Sequence, residues 1–308
     1  MDGTEMDAQT RVRLHEAFIR SLPVSQGIEG NLAGALRETL RNPGSMIRAE
    51  LAYRVARSFG KTDENAESLA VAIEYFHTAS LLFDDLPAMD NAAERRGAPC
   101  VHHLYGEGTA MLAALALINR AYALVWQAVA GLDPEVQQRS LQYLEQHLGV
   151  TGLLNGQSQD LHFSALPSGL RLPHQVAMGK TVSLIRLSLV LPALMGGASR
   201  PEVRRLECLA VYWGLGYQTM DDLKDVLFPS GESGKTGARD EQLHRPNQAL
   251  FYGTGGAFER AARMMRLGSR TIDRLIHRRE ALAFLQETQA RFELEMAALT
   301  KAAPAFGL

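Results

Sequence analysis

The chain has 308 residues, 46% of them hydrophobic, which is enough for a sizeable core in one large or two ordinary domains and excludes a disordered, collagenous or disulfide-stapled chain. Its 34 acidic and 32 basic residues leave a formal charge of −2, and neither sign gathers into a long block, which argues against nucleic acid as a partner. Cys100 and Cys208, the only cysteines, form no metal-spaced cluster and point to a reducing compartment, so a cytoplasmic location is expected.

The first ten residues, MDGTEMDAQT, are acidic where a secretory signal is basic and then apolar. Periodicity at three and four residues dominates from there on, and the expectation is an all-α protein. Helices are predicted over 5–21, 31–40 and 46–59, with the breaker Asn42-Pro43-Gly44 between the second and third. Over 67–83 the residues Leu69, Ala72, Ile73, Phe76, Ser80 and Phe83 form one stripe. Thr62-Asp63 marks the start of that helix and Pro87 its end. Arg96-Gly97-Ala98-Pro99 breaks the chain before helices at 109–129 and 134–149, which Gly131-Leu132-Asp133-Pro134 separates. Further helices are predicted at 173–191, 201–227, 255–267 and 268–302, with breakers at Gly196-Gly197 and 229–240. The most apolar runs, 111–118 and 187–195, fall short of the roughly 18 uncharged residues that spanning a bilayer needs, so no transmembrane segment is expected. No repeat or Pro/Ser linker divides the chain, which predicts a single domain built as a helix bundle over residues 1–308.

Two acidic clusters carry the chemistry. Asp84, Asp85 and Asp90 fall within seven residues at the end of an apolar helix. Carboxylates there oppose the negative end of the helix dipole, which calls for a compensating cation. Asp221 and Asp225 stand at i and i+4 on one helix face, with Asp222 between them and Gln218 one turn earlier. Either cluster alone reads as solvated surface. Two together, each beside an apolar helical run, suit hard divalent cations with oxygen ligands and positions open for phosphate.

The segment from His77 through Asp84, Asp85 and Asp90 to Arg95-Arg96-Gly97 resembles the first aspartate-rich motif of the trans-isoprenyl diphosphate synthases, the polyprenyl synthetase family. Gly156-Gln157-Ser158-Gln159-Asp160-Leu161, Gly179-Lys180-Thr181, Tyr217-Gln218-Thr219-Met220-Asp221-Asp222-Leu223-Lys224-Asp225 and Gly234-Lys235 follow in that family's order. Five motifs in order are specific where any one is weak, and the resemblance covers most of the chain, from about residue 44 to 250. The resemblance implies an isoprenoid-synthase-type helix bundle with a central cavity, working as a homodimer on an allylic diphosphate and isopentenyl diphosphate. It also implies Mg²⁺ held by Asp84, Asp90 and Asp221, with Asp85, Asp222 and Asp225 as further or supporting ligands. Breaking the allylic C–O bond expels diphosphate, whose developing charge must be neutralised in place. By the same resemblance Arg95, Lys180 and Lys235 meet the allylic diphosphate, with Thr181 and Gln218 beside it, and Arg48, His77 and Arg96 meet isopentenyl diphosphate.

The sequence departs from the family at two places. Gly44-Ser45-Met46-Ile47-Arg48-Ala49 stands where the family has Gly-Lys-Arg-x-Arg-Pro, so Ser45 replaces a lysine that contacts isopentenyl diphosphate. After Asp240 a second Gly-Lys is missing, and Arg245 is the candidate replacement. Three activities fit these residues: elongation to a product of about twenty carbons, ionisation of an allylic diphosphate without condensation as in terpene synthases, or a non-catalytic partner subunit. The elongation reading also assigns product length. With the diphosphate fixed at Asp84, the growing chain passes the small residues Ala79 and Ser80 about one turn earlier.

Overall fold

In a computed structural model of the chain, residues 8–228, 243 and 245–302 are described. Cα packing divides them into two compact units, one up to Gln137 and one from Gln138 onward. Among the described residues the fold is helical apart from one two-residue strand pair, as expected from the periodicity.

The first unit contains α1 (Ala8–Arg20), α2 (Gly30–Glu38), α3 (Ile47–Ser58), α4 (Asp63–Asp84), β1 (Glu94–Arg95), β2 (Ala98–Pro99), α5 (Val101–Tyr105) and α6 (Glu107–Val129). Helix α4 starts where the sequence predicts: the Thr62 side chain accepts from Asn65 N at 3.3 Å, and Asp63 and Glu64 occupy the first turn. It is buried along most of its length because it packs against α3 on one side and α6 on another. Buried alanines at 110, 113, 114 and 121 of α6 permit that close approach. The Tyr75 hydroxyl donates to the Phe18 carbonyl of α1 at 2.6 Å. The expected breaker at 96–99 is a tight hairpin. Arg96 and Gly97 both have positive φ (56° and 75°), the backbone that a two-residue turn needs to match strand twist.

The second unit contains most of α7 (Pro134–Leu148), then α8 (Leu153–Leu161), α9 (Pro173–Ala177), a π-helical turn (Met178–Val182), α10 (Ser183–Met195), α11 (Arg200–Leu227), α12 (Gln248–Tyr252), α13 (Thr254–Ile276) and α14 (Leu285–Ala302). One predicted boundary is corrected. Gly268 does not separate helices but lies inside α13, where a Cβ would come within 2.8 Å of Gln289 Oε1. That oxygen accepts from the indole of the fully buried Trp213 at 2.7 Å, so the glycine serves a close approach and the break falls at 277–284. The run predicted as one helix from 173 to 191 is helical throughout and widens to a π-helical turn at Met178–Val182, around Gly179. There the backbone crosses Gly156 of α8 so closely that a Cβ on Gly156 would stand 2.3 Å from Lys180 N.

Membrane-spanning potential is also corrected. α6 and the run Pro173–Met195 are long and apolar enough to cross a bilayer by length and composition, because a helix of that length tolerates the isolated charges that shorten an uncharged run. Pro173–Met195 is mostly buried in its unit. α6 leaves Met111, Leu112, Leu115, Tyr122 and Trp126 exposed.

Candidate active site

In the first unit the carboxylates collect where α4 ends. Asp84 is its last residue and Asp85 its C-cap, and both are buried. The chain then turns back on itself. Asp90 N–H donates to the Asp84 carbonyl at 2.9 Å and Ala92 N–H to the Asp85 carbonyl at 3.1 Å. Asp90, six residues on, is thereby returned beside Asp84. The hairpin aims Arg95 into the cluster, with Nε donating to Asp85 Oδ1 at 2.7 Å and Nη2 at 2.6 Å from the same oxygen. Burial works against the Arg95 charge, and the hydrogen bond and charge of Asp85 outweigh it, so its pKa lies above the ordinary value.

Beside this cluster lie two arginines and a histidine. Arg48, in the first turn of α3, and His77 of α4 meet at 3.2 Å, Nη1 to Nε2. Arg96 Nη1 donates to the Asn42 carbonyl at 2.7 Å. Its guanidinium lies against Gly44, where a Cβ would come within 2.4 Å of Cζ and where φ is +74°. Only glycine admits that backbone and that neighbour together. A cavity of about 70 Å³ is lined by Asn42, Thr78, Asp85, Arg95, Arg96 and Cys100, among others. One further charged group was not anticipated: Glu74, buried in α4 one turn before His77. Its signal was a lone carboxylate inside an otherwise apolar stretch.

In the second unit Asp222 is buried and held from both sides. Gln218 Nε2 donates to Oδ1 at 2.8 Å and Gln248 N–H to Oδ2 at 2.8 Å, while Asn247 Nδ2 reaches its carbonyl at 3.2 Å. Thr181 Oγ1 donates to Gln218 Oε1 at 2.6 Å, so Thr181, Gln218 and Asp222 form one chain. Asp221 and Asp225 are half-buried on α11. Lys180 Nζ donates to Asp160 Oδ2 at 2.8 Å, and Arg245 Nη1 stands 3.7 Å from that oxygen. Asp160 thus brings together two cations far apart in sequence. Its motif was recognisable, but nothing in the spacing assigned it this task. Lys224 pairs with Glu295 of α14. Burial lowers the Lys224 pKa, and Glu295 and Asp221 more than restore it. Lys235 lies outside the described residues.

The expected chain-length pair is divided. Ala79 is 0% exposed, whereas Ser80 is half-buried with its hydroxyl donating to the His77 carbonyl at 2.8 Å. At about 100° per residue, Ser80 lies roughly 40° around α4 from Asp84 and Ala79 roughly 140°.

Among the described residues no three His, Cys, Asp or Glu side chains converge into a metal cage. The donor set still fits magnesium. That ion keeps several waters and uses one or two carboxylates together with substrate phosphates, and every candidate donor here is a carboxylate oxygen.

A polyprenyl synthetase family model matches residues 29–271. A geranylgeranyl pyrophosphate synthase of Capsicum annuum is 34% identical over 248 residues, covering 80% of this chain and 67% of its own. A geranylfarnesyl diphosphate synthase of Leucosceptrum canum is 32% identical, covering 82% and 70%. The chain therefore spans about two thirds of the length of these relatives. A Helicobacter pylori geranyltransferase solved with magnesium and isoprenyl diphosphate superposes with a TM-score of 0.79 at 26% identity, over 95% of this chain and 96% of its own.

Proposed function

Because the chain belongs to the polyprenyl synthetase family, we propose that it is a magnesium-dependent trans-prenyltransferase. In this reading it condenses an allylic diphosphate with isopentenyl diphosphate to a product of about twenty carbons, the two units acting as one catalytic domain. The observation that supports it is the gathering of acids in two places, Asp84, Asp85 and Asp90 at the end of α4 with Arg95 on Asp85, and Asp221, Asp222 and Asp225 on α11 with Gln218 and the Gln248 N–H on Asp222. The relatives are named for geranylgeranyl and geranylfarnesyl diphosphates, and the Helicobacter pylori structure was solved with magnesium.

Asp84, Asp90, Asp221 and Asp225 would hold the metal ions. Bound magnesium supplies positive charge against the diphosphate as the allylic C–O bond breaks. Lys180, oriented by Asp160, and Arg95, oriented by Asp85, bind the allylic diphosphate, and Arg's planar fork suits its oxygens. Thr181 and Gln218 steady that side through Asp222. Arg48, His77 and Arg96 bind the isopentenyl diphosphate, with Arg245 near Lys180 as a further cation. One observation favours a second reading, ionisation without condensation: Ser45 stands where the family has a lysine for isopentenyl diphosphate. The exposed apolar face of α6 supports a homodimer that covers it. Two cysteines in a chain of 308 residues support a reducing compartment; the cytoplasm is one, although relatives are named chloroplastic and mitochondrial.

The test is incubation with Mg²⁺ and geranyl or farnesyl diphosphate, with and without isopentenyl diphosphate. A longer diphosphate formed only with both substrates supports elongation. Hydrocarbon or alcohol from the allylic substrate alone supports the second reading, and no turnover overturns both.

A further inference from the structure

Glu74 is 2% exposed, and ionised carboxylates are rarely buried unless a specific partner compensates them. It lies on α4 three residues before His77, on the same side of that helix. Its carboxylate accepts from the backbone N–H of Ala49, one of the unsatisfied donors in the first turn of α3. Met46, the N-cap of α3, is in the left-handed region with φ 50° and supplies no side-chain cap. Glu74 therefore caps α3 from another helix, where a negative charge is also favoured by the helix dipole.

Capping alone does not need a charge, since the neutral amide of glutamine also accepts from an N–H. What the charge adds is its action on two guanidiniums. Burial pushes the Glu74 pKa up while Arg48 and Arg96 pull it back down, and Arg48 is the residue that meets His77 at 3.2 Å. Glu74 Oε2 and Arg48 Nε are both buried without a hydrogen-bond partner. The two groups thus attract each other across the site without closing a contact that would neutralise the arginine. An arginine in a direct bidentate pair would be withdrawn from an incoming phosphate; one held by charge at a distance keeps its donors available.

We propose that Glu74 is a positioning residue for the second substrate: its buried carboxylate at the α3 N-terminus holds Arg48 in the arrangement that receives the isopentenyl diphosphate group. This rests on the prenyltransferase reading. It also bears on the departure at Ser45, because a site short of one lysine depends more on the placement of the arginines that remain.

The experiment is calorimetric titration of isopentenyl diphosphate into wild-type, Glu74→Gln, Arg48→Ala and the double variant, beside initial rates and thermal melts. Glu74→Gln is expected to weaken isopentenyl diphosphate binding about tenfold, the scale of one charge-assisted hydrogen bond. The KM for the allylic diphosphate should change less than about threefold, and in the Arg48→Ala background the effect of Glu74→Gln should disappear. Equal binding by wild type and Glu74→Gln overturns the inference and leaves the prenyltransferase reading standing. So does a Glu74→Gln effect that persists without Arg48, or a parallel loss for both substrates. Should Glu74→Gln melt far below wild type, Glu74→Asp decides: binding within about threefold of wild type supports a role for the charge, and a tenfold loss overturns it. A wild type that consumes allylic diphosphate yet binds no isopentenyl diphosphate overturns the prenyltransferase reading and this inference with it.

Discussion

The two carboxylate clusters solve one electrostatic problem by different local means. In the first unit the acids sit at the C-terminus of α4, where the helix dipole is unfavourable, and a cation brought by a hairpin, Arg95, clamps Asp85. In the second unit the acids sit inside α11, and neutral donors, Gln218 and the Gln248 backbone, hold Asp222. In both, the second aspartate of the Asp-Asp pair is engaged by the protein. The comparison teaches that two neighbouring aspartates in sequence meet different surroundings; under the proposed function the second of each pair serves the scaffold and the first the ligand.

The sharpest way to break this comparison is to remove the carboxylates proposed as metal ligands. Asp84→Ala and Asp221→Ala are each expected to lower turnover by at least about a hundredfold, the loss of charge stabilisation at the diphosphate. Their melting temperatures should stay close to wild type, and chelation with EDTA should silence the native protein. An Asp221→Ala enzyme with near-normal rates would remove the metal role from the second cluster.

The scaffold carboxylates come next. Asp222→Ala would leave the Gln248 N–H and the Gln218 amide without their acceptor in a buried setting, at a cost of about 1–3 kcal/mol for each orphaned donor. A drop of several degrees in Tm is expected along with loss of activity. Were Asp222→Ala to melt like wild type, the proposed division between the paired aspartates would fail.

A third, gentler change addresses the binding loop. Ser45→Lys restores the family's cation and is expected to lower the KM for isopentenyl diphosphate about tenfold, with the allylic KM changed much less. An unchanged KM would show that the 44–48 loop presents residue 45 elsewhere.

The clusters were legible in sequence because their spacing survives folding: i and i+4 on α11 fix one face, and a proline-containing turn returns Asp90 to Asp84. Helices with strong caps, such as α4 behind Thr62, were legible for the same local reason. What escaped depends on close approach between elements distant in sequence. Gly268 looked like a terminator and is a contact point for Gln289. Gly156 and Gly179 stood out only as members of family motifs and mark the crossing that sets Lys180 against Asp160. The short helices α5 and α12 have too few turns to show a period.

Product length offers a finer test within the first unit. Ser80 shares the side of α4 that carries Asp84, whereas Ala79 is enclosed by packing. Ser80→Phe is therefore expected to shorten the product by one five-carbon unit with the fold intact. Ala79→Tyr must intrude on packed neighbours, at about 1–3 kcal/mol, and should lower Tm. A shortened product from a stable Ala79→Tyr enzyme would place the growing chain on that side of α4 instead.

The smallest expected effect concerns acid sensitivity and belongs to the second unit. His147 of α7 is 5% exposed and packs edge-on against Tyr143 with ring centroids 4.3 Å apart. Burial, and then the charge of Arg186, push its pKa down from 6.5 to about 4. A folded-state pKa below the unfolded value means that the unfolded chain binds the proton first. The neutral ring's contribution is thus fully present above pH 6.5 and is lost progressively as pH falls through that value toward 4. In the upper part of that window, above pH 5, unperturbed carboxylates remain ionised, so histidines dominate the change. Melts between pH 7 and pH 5 should show Tm falling with pH for the wild type and falling less for His147→Gln, which cannot take up the proton. Parallel slopes for the two proteins would mean that the acid sensitivity lies in other groups and that the fold does not lower the His147 pKa.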